Sequence, residues 1–337
     1  MSWRERRLVT ILSTILLILV AAVLVVLGIR YRESRAAAEK RDMIDPATNT
    51  VVDHNAYTKL FYETENFTLS FTRDELETWH WDGSKDFPLD DTTVTEILAL
   101  LTAWNPQQTL TDPEALEASG LDNPSRTLIA TTENGASTTL TFGRATTDGN
   151  SYYVRLNGDE TTVYIVAGTL YSLLDTPVYD MYRLPRLPEL KADMLRSIAV
   201  SSVTEEDGQL APFTVLSAQR AEDGGETTWR SNGANVTDDP SVIALLEDVT
   251  ALAISKCLLY DPSEEAVTIC GFDTPAAGLT VVYESGGTES SLNFTIGNRL
   301  PDRSGRYVRL GEDPTIFFLP TELLDPLMRL ASEGLTE

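Results

Sequence analysis

"NSYYVRLNGDETTVYIV" at residues 150–166 and "SGRYVRLGEDPTIFFL" at residues 304–319 share a tetrapeptide, Tyr-Val-Arg-Leu, at Tyr153–Leu156 and Tyr307–Leu310. A Gly/Asp/Glu turn follows in each, and then a second apolar run. Apolar and polar residues alternate on both sides of the turn, the period of a strand with one buried face. Two further alternating runs precede each pair, "RTLIATT" and "STTLTFG" in the first half, "GLTVVYE" and "SLNFTIG" in the second. With "SYYVRL" and "TVYIVA", or "RYVRL" and "TIFFLP", they read as four-stranded antiparallel meanders joined by short Gly/Asn/Asp turns.

The recurrence extends upstream, so that residues 67–182 and 197–330 carry the same order of elements. Each half has an alternating strand and then a strand holding Trp, Trp79 and Trp81 in "LETWHWDG" and Trp229 in "ETTWRSNG". An amphipathic helix follows, "DDTTVTEILALLTAW" or "DDPSVIALLEDVTAL". Asp90 or Asp91, and Asp238 or Asp239, suit its N-cap; Ile97, Leu98 and Leu101 match Leu245, Leu246 and Val249 as its buried stripe. Next come "TDPEALEASGLDNP" and "YDPSEEAVTICGFDTP". Pro113 and Pro262 fit a first helical turn, Asp112 and Asp261 its cap, and Gly120 and Gly271 the left-handed exit. Pro124 and Pro275 then force an extended exit. Asp122 and Asp273, held at one place in both halves, suit a side-chain-to-backbone turn bond.

The N-terminus differs in kind. Leu8–Ile29 is 22 residues without a charge. At 1.5 Å per residue it would span about 33 Å, against about 30 Å of hydrocarbon. The expectation is an uncleaved single-pass anchor in the cell membrane with the bulk of the chain extracytoplasmic, although both flanks are basic. The expected organisation is a cytoplasmic tail at 1–7, the membrane helix at 8–29, a juxtamembrane spacer at 30–58, repeat units at 59–190 and 191–331, and a tail at 332–337. The fold class is α+β: two homologous units, each an antiparallel meander sheet with packed helices, behind one transmembrane helix.

The order of Trp strand, helix, Gly-Leu-Asp-x-Pro, Phe-Gly or Ile-Gly, and Tyr-Val-Arg-Leu resembles the bacterial domain of unknown function 4340 family. Trp79, Gly120, Leu121, Asp122, Pro124, Gly143, Tyr153 and Tyr164 carry the resemblance, with Gly271, Phe272, Asp273, Pro275, Gly297 and Tyr307 less closely. The resemblance implies a membrane helix at the N-terminus, no assigned activity, and association with ABC-type transporters of the gliding-motility kind.

Charge and composition narrow the function classes. The chain has 26 Lys/Arg and 51 Asp/Glu, a net charge of −25. All of the excess acid falls after residue 41, which argues against nucleic acid as a partner. His54 and His80 are the two histidines, and no HExxH, CxxC or G-x-S-x-G spacing occurs. No catalytic residue, metal or cofactor is expected. Cys257 and Cys270 read as buried thiols, with a disulfide the lesser alternative. Arg155 and Arg309 lie two residues from Tyr153 and Tyr307, hence on the same strand face, and these four are the binding candidates. The functional expectation is a non-enzymatic envelope protein, an accessory or binding component of an ABC-type transport complex with protein partners. The alternatives are an envelope hydrolase using a carboxylate pair and a small-anion module in the inter-repeat cleft. Ligand and oligomeric state are not specified by the sequence.

Overall fold

In the computed structural model, residues 56–112, 117–203, 210–220 and 227–335 are described. They form two compact units, the first of residues 56–83 and Asp91–Asp175, the second of Ser84–Asp90 and the chain from Thr176 onward. The proline-punctuated segment 182–194 thus belongs to the second unit.

The first unit holds β1 (Tyr57–Glu63), β2 (Thr68–Arg73), β3 (Trp79–Trp81), α1 (Thr92–Thr102), β4 (Gln108–Leu110), β5 (Arg126–Thr132), β6 (Ser137–Ala145), β7 (Ser151–Leu156), β8 (Val163–Ala167) and α2 (Gly168–Leu173). Its eight strands are ordered β3-β2-β1-β5-β6-β7-β8-β4. Period-two alternation puts Leu60, Tyr62, Leu69, Phe71, Leu128, Leu140, Phe142 and Val154 on one buried face. Val94, Ile97, Leu98 and Leu101 of α1 are buried as well. Each such large side chain contributes about 1.5–3 kcal/mol by leaving water.

The second unit holds a 3-10 turn (Val178–Met181), β9 (Leu195–Val203), β10 (Leu210–Gln219), β11 (Thr228–Ser231), β12 (Ala234–Asn235), α3 (Pro240–Thr250), β13 (Lys256–Leu259), α4 (Glu264–Ile269), β14 (Ala277–Ser285), β15 (Thr288–Arg299), β16 (Gly305–Leu310), β17 (Ile316–Pro320) and α5 (Thr321–Glu333). The strand order is β12-β11-β10-β9-β14-β15-β16-β17-β13. Set β12 aside, and this is the order of the first sheet, strand for strand. Asp239 caps α3, its Oδ1 accepting from Ser241 N at 2.7 Å and Val242 N at 3.4 Å. Asp91 stands at the N-cap of α1 without a side-chain bond. Residues 84–90 complete the second unit's aromatic cluster, where the buried Phe87 ring meets Tyr260 at 5.2 Å and Tyr182 at 5.4 Å, both edge-on.

Two expectations are corrected here. The chain is mostly β rather than α+β: two large antiparallel sheets dominate, and the labelled helices run only 6 to 13 residues. The single-pass membrane protein is corrected as well. No helix among the described residues is long and apolar enough to cross a membrane, and residues 8–29, on which the anchor rested, lie outside them.

Candidate functional site

The two Tyr-Val-Arg-Leu stretches are β7 and β16, and the backbone pairing makes them equivalent. Arg155 lies opposite Thr141 and Val154 opposite Phe142; Arg309 lies opposite Thr295 and Val308 opposite Ile296. Both pairings then slip at the same place, between Phe142 and Ala145 and between Ile296 and Arg299. A bulge of this kind turns a backbone N–H out of the ladder. Here the freed donors reach the preceding helical turn: Arg144 N donates to Ser119 O at 2.8 Å, and Asn298 N to Cys270 O at 2.7 Å. The approach leaves no room for a side chain, since a Cβ on Gly143 or Gly297 would lie 2.2 Å from that carbonyl oxygen.

These bonds stitch the Gly-apolar-Asp-x-Pro loop to the sheet. Gly120 and Gly271 have φ of 70° and 82°, as expected of a helix exit. In the second unit, Phe272 N donates to Val267 O at 3.1 Å and Gly271 N to Thr268 O at 3.0 Å, the paired bonds of a Schellman end. The cap of α4 is Ser263, whose hydroxyl accepts from Ala266 N, and not Asp261, which sits earlier with φ 47°. Pro262 therefore precedes the cap. Asp112 is exposed and Pro113 lies outside the described residues. Asp273 accepts from the Thr268 hydroxyl at 2.5 Å instead of a turn N–H; Asp122 is exposed, as is Pro124, while Pro275 is half-buried.

In the second unit the loop's apolar residue sits with the arginine. The Arg309 guanidinium lies 4.5 Å from the centre of the Phe272 ring, a cation–π contact. The equivalent Leu121 is buried in the first unit. Arg155 and Arg309 are half-buried, and the Nε of each is inaccessible and without a hydrogen-bond partner among the described residues. An unsatisfied buried donor costs about 1–3 kcal/mol, and this fold carries the same one twice. Tyr153 and Tyr307 share the arginine face, both half-buried, while Val154 and Val308 point into the cores. Burial pushes the Tyr307 phenol upward, helped by Cys270 and then Asp302. Near Arg155, Asp159 is held low chiefly by the Thr161 hydroxyl and backbone N–H, with the Arg155 charge the smallest contribution.

Cys257 and Cys270 are both free and buried. Burial pushes the Cys257 thiol up to about 12, and it raises Cys270 too, against the opposing pull of Arg309. Both should therefore react with a thiol reagent slowly in native protein and promptly in denaturant. Titration of two thiols with and without urea checks this.

Two features have no counterpart in the sequence reading. Tyr171 is stacked against Tyr152 at 3.6 Å and against the Arg126 guanidinium at 3.5 Å, and Arg126 also binds Asp175 at 2.5 Å. Arg126 and Tyr171 are 45 positions apart, so no local pattern signals the stack. Asp248 on α3 is the second: burial raises its pKa first, then Glu247 and Asp325, and its Oδ2 is buried without a partner. An acid next to Val249 of the apolar stripe was its signal.

Asp248 gives a pH prediction. Its folded-state pKa lies above the unfolded one, so its stabilising contribution is fully present below the ordinary carboxylate value of about 4 and lost as pH rises through the raised value. Asp248→Asn, uncharged throughout, should melt higher than wild type at neutral pH. The advantage should shrink as pH falls toward 4, as scanning calorimetry across that range will read.

His80 Nε2 lies 2.9 Å from Asp74 Oδ2 on the β2–β3 hairpin, a surface pairing. His54 lies outside the described residues. No cluster of three His, Cys, Asp or Glu that could hold a metal occurs among the described residues.

The fold and this face define a class: twin antiparallel sheets of one strand order, each with a loop stitched to the sheet by a backbone hydrogen bond. The chain belongs to the family described as Domain of unknown function (DUF4340), whose model matches residues 79–269, more than half of the sequence. That match begins in β3 and ends at Ile269, so Gly271, Phe272, Asp273, Pro275, Gly297 and Tyr307 lie beyond it. No curated protein and no solved structure matches the chain.

Proposed function

We propose that the chain is a non-enzymatic accessory or binding component of an ABC-type transport complex, built from two copies of one structural unit. One observation carries the reading: an arginine with an unsatisfied Nε stands at the same register position of both sheets. Core packing alone has no use for a guanidinium, and an apolar residue of similar volume would avoid the cost of the orphaned donor. That Nε is itself closed to a partner, so the half-buried remainder of each arginine, with Tyr153 and Tyr307 beside it, is what a partner carboxylate or carbonyl would contact.

The hydrolase alternative has no comparable support. Asp248 is the carboxylate with raised pKa among the described residues, and it lies on a helix rather than in a groove.

The test is recovery of transporter subunits with tagged full-length protein from native cells. An ATPase or permease subunit should co-purify, and the Arg155→Ala/Arg309→Ala variant should lose it by about tenfold or more, as expected when a charge-assisted contact worth ~1.5–3 kcal/mol is removed. Arg→Lys at both positions keeps the charge but not the fork and should give an intermediate loss. Absence of transporter subunits from the wild-type preparation would count against the function; equal recovery with the double Ala variant would count against the arginines. A small-anion role for the same residues would instead appear as an anion-dependent melting shift lost in that variant.

A further inference from the structure

The two sheets differ at one concave place, and that difference is informative because the shared scaffold cannot account for it. "TWHWDG" at 78–83 aligns with "TWRSNG" at 228–233, which sets Trp81 opposite Ser231. Trp79 and Trp229 are both buried, so by period two Trp81 and Ser231 point to the same side of their sheets. In the first unit the Trp81 ring lies on Gly83, where an added Cβ would come within 2.3 Å of it. In the second unit the small Ser231 leaves that space empty, and a groove of about 670 Å³ stands there. The end of α5 completes it, a helix of 13 residues where the first unit has the 6-residue α2.

We infer that this groove binds a saccharide. Its volume lies within the range of about 300–1,000 Å³ usual for small-ligand sites. Phe213 lines it and is 53% exposed, an aromatic ring available for the C–H face of a pyranose. Around it stand Asn232, Asn235, Asp238 and Glu333. The Asn235 carbonyl oxygen is already engaged by Thr237 N and Oγ1, at 3.0 and 2.7 Å, which leaves its NH2 to donate. Asp238 and Glu333 make no ion pair among the described residues and are free to accept. A hydroxyl both donates and accepts, so it uses the amide and the carboxylates together. A cation would use the carboxylates and would leave the Asn235 NH2 without an acceptor. No Lys or Arg lines the groove, which removes anionic ligands. The inference is independent of the arginine face and of the transport reading.

The experiment titrates the full chain with maltotetraose, cellotetraose and chitotetraose at up to millimolar concentration, with spermidine as the charge control. At least one oligosaccharide should bind saturably. Phe213→Ala should weaken that binding about tenfold, the loss expected for one aromatic contact. Ser231→Trp, which refills the groove as the first unit does, should abolish it while preserving the melting temperature. Should Ser231→Trp not fold, Phe213→Ala and Asp238→Asn carry the test. Saturable binding by none of the sugars, sugar binding indifferent to these substitutions, or binding of spermidine alone would overturn the inference.

Discussion

Gly297→Ala should destabilise the protein by about 3 kcal/mol or more, and Gly143→Ala by a similar amount. The added methyl would sit 2.2 Å from the carbonyl oxygen of Cys270 or Ser119. That oxygen belongs to backbone, and it is held by the Asn298 or Arg144 N–H at 2.7 or 2.8 Å. Relief therefore requires breaking the stitch between loop and strand as well as moving the chain. Overpacking alone costs about 1–3 kcal/mol, and a lost buried hydrogen bond adds to it. Gly135→Ala separates this cause from ordinary glycine effects. Its Cβ would meet nothing within 4 Å, and only its φ of 86° resists a side chain. A left-handed residue costs about 1–2 kcal/mol. Urea midpoints should therefore rank wild type, then Gly135→Ala, then the two stitched positions. Equal midpoints for all three variants would refute the stitch.

Phe317→Ala should cost about 3–5 kcal/mol, the range for removing a fully buried aromatic ring. Phe317 is on β17, paired with Val308 on one side and Cys257 on the other, and is wholly buried. Its ring meets Tyr182 edge-on at 5.8 Å. The neighbouring Phe318 has a half-buried side chain on the opposite face, so Phe318→Ala should cost distinctly less. Urea unfolding of the two variants side by side checks the facing of β17. Similar losses would mean that both faces of the strand are equally buried.

Much of the fold was legible because its strands have one wet face. β5 and β7 coincide with "RTLIATT" and "SYYVRL", where alternation is clean and turn residues close both ends. β15 runs past the expected "SLNFTIG" at both ends because Thr288–Ser290 and Asn298–Arg299 are polar and exposed, with no period to read. The α+β reading named the elements and misjudged their weight, since short helices with clear caps are as conspicuous in sequence as long strands. "SKDFPLD" at 84–90 looks like any surface loop. That Phe87 leaves the first unit to pack on Tyr260 is decided by long-range contact, which no local pattern carries. The candidate site was half legible. Period two placed Arg155 with Tyr153 and Arg309 with Tyr307, but nothing in the sequence put Phe272 beneath Arg309 or left both Nε atoms without an acceptor.

The same physical logic separates shared from unshared features. Gly120 and Gly271, Gly143 and Gly297, and Arg155 and Arg309 recur because loop, bulge and strand form one unit. Trp81 and Ser231 do not match, and there a groove opens in one unit only. The two proposals therefore rest on different features, a repeated arginine face and an unrepeated groove, which the substitutions above address separately.

Photocrosslinking from the arginine face tests the central claim most directly. A photoreactive amino acid replacing Tyr153, or Tyr307, in full-length protein in native cells should crosslink to an ATPase or permease subunit of a transport complex. The same label at Glu289, exposed at the distant end of β15, should not. Crosslinks to no transporter subunit from either tyrosine position, or equal yields from Glu289, would contradict the account.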